Sequence, residues 1–165
     1  MTYQEHNFAF IDSQNLNLGI KDLGWNIDLK KFRKYLFDKY RVEKAFLFLG
    51  YIKKYIPMYT QLSSYKYTLI FKPTVKHKEG KIKGNIDAEL VMYTMKEIEN
   101  FDKAVIVSGD GDFHCLLKYL KEMGKLKALL IPNQKSCSSL FKEFSQYKVL
   151  LEFEKSKLKE QKWEA

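Results

Sequence analysis

Six short runs of almost unbroken apolar character divide the chain: NFAFI (7–11), VEKAFLFL (42–49), YTLIF (67–71), KAVIV (103–107), LKALLI (126–131) and YKVLL (147–151). Strands this apolar are buried on both faces, as in a parallel sheet. Parallel strands need long crossovers, and the intervening segments have helical spacing. DLKKFRKYLFDKY repeats Leu29, Phe32, Leu36 and Tyr40 behind Asp28, a suitable N-cap. DAELVMYTMKEIENF repeats Ala88, Val91, Met92, Met95 and Ile98. DFHCLLKYLKEMGK repeats Phe113, Leu116, Leu117, Leu120 and Met123 before Gly124, and SCSSLFKEFSQY predicts a further helix. Strands alternating with helices define an α/β fold.

The 165 residues suit one domain over 1–151, followed by a charged tail or helical extension over 152–165. Cys115 and Cys137 have neither the spacing of a zinc site nor that of a disulfide framework. No apolar run approaches the ~20 residues that span a bilayer, and MTYQEHNFAF lacks a signal-peptide core. A cytoplasmic protein without a membrane partner is expected. The 29 Lys and Arg against 20 Asp and Glu give +9, a field that favours polyanions.

In open α/β sheets, ligands bind beyond the carboxyl ends of the strands. NFAFI is followed by Asp12, Ser13, Gln14 and Asn15, and KAVIV by Ser108, Gly109, Asp110, Gly111 and Asp112. Asp87 opens an amphipathic helix. If that helix starts at the same edge, Asp12, Asp87 and Asp110, with Asp112 as a fourth, converge from three parts of the chain. Their repulsion then calls for a cation, and oxygen-only ligands suit Mg²⁺ or Mn²⁺. Asp87 and Asp112 also suit the simpler role of helix N-cap. Gly109 and Gly111, and Gly84 before Asp87, would allow a sharp turn or a close ligand. Neither GxGxxG nor GxxxxGK[ST] occurs.

The blocks FIDSQNL, KGNIDAELV and VIVSGDGDF with LLKYLKEMGK, in that order over residues 7–150, resemble the signature blocks of the NYN domain family, the LabA-like branch of the PIN-like nuclease superfamily. The resemblance implies a three-layer α/β/α sandwich with a central, mainly parallel sheet. It also implies an acidic cleft that binds Mg²⁺ or Mn²⁺ and cuts RNA. By position, the catalytic set is Asp12, Asn15, Asp87, Asp110 and Asp112, with the four aspartates as metal ligands and Ser108, Gly109 and Gly111 ordering the loop. Ser13 stands where the family commonly has glycine.

Metal-dependent hydrolysis of RNA phosphodiesters is the leading functional reading. KPTVKHKEGKIKGN places Lys72, Lys76, Lys78, Lys81 and Lys83, with His77, just ahead of Asp87 and reads as a flexible basic loop that would hold the RNA backbone. Tyr51, Tyr55, Tyr59, Tyr65 and Tyr67 interleave with Lys53, Lys54 and Lys66, a composition able to stack unpaired bases. Trp25 and this tyrosine-rich segment would suit a homodimer. His114 is a candidate acid or base. An RNA-binding module that keeps the cation site without efficient catalysis is the main alternative. A Mg²⁺-dependent phosphohydrolase ranks below both, because FIDSQN lacks the second acid at position 14 of a DxD nucleophile motif.

Overall fold

The structure is a computed structural model that describes residues 2–72 and 86–161, together with the backbone at 75–76 and 82–83. In chain order its elements are β1 (Asn7–Asp12), α1 (Ser13–Asp22), α2 (Leu29–Tyr40), β2 (Val42–Gly50), α3 (Ile56–Ser64), β3 (Tyr67–Lys72), β4 (Val75–Lys76), β5 (Ile82–Lys83), α4 (Asp87–Lys96), β6 (Ala104–Val107), α5 (His114–Glu122), β7 (Leu126–Ile131), β8 (Lys148–Leu150) and α6 (Lys155–Leu158). Six strands form one sheet in the order β3-β2-β1-β6-β7-β8, and every neighbouring pair is parallel. Each of the six apolar runs supplies one of these strands.

Alternation along the strands divides the core in two. Ala9, Ile11, Leu47, Val105 and Leu130 face a layer containing Leu16, Ile20, Phe32, Leu36, Tyr59, Leu62 and Leu158, from α1, α2, α3 and α6. Phe8, Phe10, Phe46, Phe48, Ile106 and Leu129 face Leu90, Leu116, Leu117 and Leu120, from α4 and α5, and the buried Phe141 and Phe144. The result is a three-layer α/β/α sandwich. Phe10 stacks on Phe46 with ring centroids 5.2 Å apart and meets Phe101 edge-on at 5.6 Å, an aromatic seam under the centre of the sheet.

Several local expectations change. Helix α1, which the sequence reading leaves unassigned, follows β1 without a break because Asp12 caps it. Helix α3, also unassigned, begins with proline in its first turn. On α4 the buried positions are Leu90 and Thr94, while Ala88, Met92 and Met95 of the expected stripe are exposed. Tyr93 meets Phe48 edge-on at 5.8 Å, which rotates the helix onto this neighbouring face. Met123 is exposed at the end of α5, beside Gly124 in the left-handed region (φ +67°). The segment SCSSLFKEFSQY is not an α-helix. Ser138 caps a 3-10 turn over Ser139–Phe144, whose three-residue period places Phe141 and Phe144 on one line, both buried.

Beyond β8 the chain makes a 3-10 turn over Leu151–Glu154 and then α6. Leu151 and Leu158 are fully buried against the first core, and Ile27 and Lys159 form an antiparallel bridge. Leu158→Ala is therefore expected to lower stability in urea denaturation by about 2–4 kcal/mol, the cost of a buried leucine truncation. A change below about 0.5 kcal/mol would mean that this turn does not belong to the core.

Candidate metal centre

The sheet order reverses between β1 and β6, with β2 and β3 on one side and β7 and β8 on the other. The connections leaving these strands go to opposite faces, since α1 packs on the first core and α5 on the second. Such a switch point opens a crevice at the carboxyl edge of the sheet.

Asp12 ends β1 on the face already occupied by Phe8 and Phe10, and it is only 5% exposed. Its Oδ1 accepts from the Asn15 backbone N–H at 3.2 Å, closing the cap of α1. The hydroxyl of Ser108, fully buried just past β6, donates to Asp12 Oδ2 at 3.1 Å and accepts from the Asp110 N–H at 3.1 Å. Asn15 Oδ1 accepts from the Gly109 N–H at 2.9 Å. Asp110 Oδ1 accepts from the Asp112 N–H at 2.9 Å, capping a 3-10 turn over Gly111–Phe113 that leads into α5. The loops after β1 and β6 thus hold each other.

Asp87 is the first residue of α4, not its N-cap; that position belongs to Ile86. One carboxylate oxygen from each of Asp12, Asp87 and Asp110 lies within 4.8 Å of the other two. Above them opens a cleft of about 370 Å³ also lined by Gln14, Asn15, Leu18, Asp22 and Ser136.

The acids disturb one another. Burial raises the pKa of Asp12, against the two hydrogen bonds from Asn15 and Ser108 that favour its charged form. Asp87 is pushed up to about 7, first by burial and then by the Asp110 charge, with a hydrogen bond to Asp112 and the Asp12 charge adding to the shift. A divalent cation among these oxygens would reverse that balance, and an all-carboxylate donor set fits a hard ion.

The other sequence candidates occupy different places. Asp112 is exposed and outside the three-acid group; its N–H donates to Asp110, and its carboxylate accepts from Asp87 while Asp87 is protonated. Gly109 and Gly111 do not have positive φ. Instead, a Cβ at Gly111 would lie 2.5 Å from Ser138 Oγ and 3.0 Å from Ser138 Cβ, so the close approach is by this loop. The Ser13 hydroxyl accepts from Asn17 Nδ2 at 3.3 Å within α1. His114 Nε2 is 2.9 Å from Glu143 Oε1, and the ring lies against Phe144, outside the cleft lining.

Lys72 ends β3 with its ammonium 3.7 Å from Glu89 of α4. In the segment read as a flexible loop, Val75 pairs with Lys83 and Lys76 with Ile82 in a short antiparallel ladder. His77, Lys78, Lys81 and Gly84 lie outside the described residues. The sequence reading missed Asp22 and Leu18. Both follow from helical spacing once Asp12 is taken as a cap, because Asn15, Leu18 and Asp22 then fall on one side of α1.

The NYN domain family matches residues 8–151 of the chain. No curated protein sequence matches it. A crystal structure of a protein of unknown function from Vibrio parahaemolyticus RIMD 2210633 has the same fold, with a TM-score of 0.74 at 19% identity, covering 92% of this chain and 96% of that one.

A raised carboxylate pKa means that the folded state holds its proton more tightly than the unfolded state. Without metal, the contribution of Asp87 to stability is then greatest below the ordinary aspartate value of 3.8 and falls as pH rises towards 7. In EDTA, the difference in thermal stability between Asp87→Asn and the wild type should trace this decline, widening in the variant's favour from pH 4 to pH 8. Asp87→Asn should gain about 1–2 kcal/mol over the wild type at pH 8 after solvent screening. Mn²⁺ should raise the wild-type Tm and leave the variant's nearly unchanged. A variant less stable than the wild type at pH 8 in EDTA would contradict this electrostatic picture.

Proposed function

The chain belongs to the NYN domain family, and from that membership and its acidic cleft we propose that it is a metal-dependent ribonuclease hydrolysing RNA phosphodiester bonds. The observation that carries the reading is the meeting of Asp12, Asp87 and Asp110 at the switch point of a PIN-like nuclease fold. A surface acid is cheap, but three brought together from β1, α4 and the loop after β6 oppose folding unless a cation is their purpose.

Asp12, Asp87 and Asp110 would hold Mg²⁺ or Mn²⁺. When bound, such an ion supplies Lewis acidity towards phosphate and lowers the pKa of water. The protein's part is placement. Each oxygen of Asp12 accepts one hydrogen bond, and a carboxylate oxygen has a second lone pair left for ligation. Ser108 fixes the distance between the Asp12 carboxylate and the Asp110 backbone. Asn15, whose Oδ1 braces Gly109, would use its amide N–H groups to orient a phosphate oxygen or the attacking water. Asp112, whose bond to Asp87 needs a proton that a cation would displace, would hold water on the solvent side. Lys72, Lys76, Lys78, Lys81 and Lys83 would neutralise phosphates flanking the scissile one, which makes binding salt-dependent.

End-labelled RNA should be cut by the wild type with Mn²⁺ or Mg²⁺ and left intact in EDTA. Asp110→Asn should lower the rate on the order of a hundredfold or more, and Ser108→Ala, which only positions its neighbours, by about 10–100-fold. Absence of metal-dependent cutting across single-stranded, structured and transfer RNA would contradict the proposal. RNA binding retained without cutting would instead assign the site to a binding module.

A further inference from the structure

The five tyrosines between residues 51 and 67 do not share one environment. Tyr59 and Tyr67 are buried, and Tyr65 is half-buried, whereas Tyr51 and Tyr55 are 41% and 40% exposed. Phe71, near the end of β3, joins them at 37% exposure. The exposed rings lie at the carboxyl edge of the sheet, the edge that carries the acids. Asp12 is level with Phe48 on β2, and Tyr51 begins just past Gly50, itself level with Lys72 on β3. At a strand spacing of about 4.8 Å, β3 lies about 10 Å from β1. That is about three nucleotides at the 3.4 Å rise of a stacked strand.

This surface is held in shape. Tyr59 Oη accepts from the Ile52 N–H at 3.0 Å and donates to Gly50 O at 3.3 Å, pinning the turn that carries Tyr51. The ring of Phe71 lies 4.8 Å from that of Tyr59 and 5.5 Å from that of Tyr51, the latter pair perpendicular. Lys54 Nζ sits 5.1 Å over the Tyr55 ring, and exposed Lys53 lies beside it in the same 3-10 turn. Rigid aromatic faces bordered by cations match an unpaired strand, which offers base faces together with phosphates. A duplex hides those base faces, and an apolar protein partner would leave the lysines uncompensated.

We infer that Tyr51, Tyr55 and Phe71 form a stacking platform for unpaired bases, so that the substrate of the acidic cleft is single-stranded RNA whose flanking nucleotides are gripped over β2 and β3. The inference rests on reading the cleft as an RNA site. It adds the strandedness of the RNA and the residues that sense it. Tyr55 is the most informative ring because it is exposed and stands apart from the Tyr51–Tyr59–Phe71 cluster, so its removal leaves the core intact.

The test is fluorescence anisotropy in EDTA, where no cutting intervenes, with a labelled oligouridine single strand and an RNA duplex of equal length. Tyr55→Ala should weaken single-strand binding about fivefold or more, the loss of one stacked base. Tyr55→Phe should stay within about twofold of the wild type, and duplex binding should be the same in all three proteins. Equal affinity of the Ala variant and the wild type for the single strand would overturn the platform. So would equal losses on both RNAs, no single-strand binding by the wild type, or a change in oligomeric mass on sedimentation in place of a change in affinity. The ribonuclease reading fails separately: a protein that binds single strands through Tyr55 but never cuts keeps the platform and loses the enzyme. One that cuts equally well as Tyr55→Ala does the reverse.

Discussion

The hydrogen bond from Ser108 to Asp12 is the contact on which the rest of the site depends. It ties the end of β1 to the end of β6 across the place where the sheet order reverses. Without a tie, the two loops would splay apart towards the opposite faces to which α1 and α5 belong. With it, the Asp110 N–H is drawn to the same hydroxyl, and Asn15 closes the lacing by accepting from Gly109. The acids therefore stand on backbone that is fixed from two strands, and α4 needs only to bring its first residue to the gap.

That gap opposes folding in the metal-free state. Burial and mutual charge raise the pKa of both Asp12 and Asp87, so at neutral pH the molecule carries a local electrostatic cost that its two cores must offset. The second core is well suited to this, since its phenylalanines lie directly beneath Asp12 along β1 and contact one another from Phe8 to Phe48. A soft or wet core there would let the carboxylates separate. Strain of this kind is common at functional sites, where local rules give way and the scaffold compensates.

The sheet was legible in the sequence because its strands are buried on both faces and read as apolar runs with no competing period. The positions of Asp12 and Asp110 followed from their place after two of those runs. Asp87 was harder to place, because its entry depends on which edge α4 starts from, a tertiary fact. Helices α1 and α3 are not legible in the sequence because Asn and Gly interrupt the first and Pro opens the second. The outward turn of Met92 and Met95 reflects packing of Tyr93 on Phe48, which periodicity alone does not encode. Gly111 is informative in another way. A glycine in an acidic turn suggests room for a ligand, whereas the structure uses the space for Ser138 from the loop after β7.

Asp12, Asp87 and Asp110 are proposed to hold a divalent cation, and the most direct measurement is anomalous diffraction from crystals soaked in Mn²⁺. The account predicts a strong peak bounded by Asp12, Asp87 and Asp110, with carboxylate oxygens at about 2 Å. A well-ordered site with no peak at millimolar Mn²⁺, or a peak confined to other residues, would contradict it.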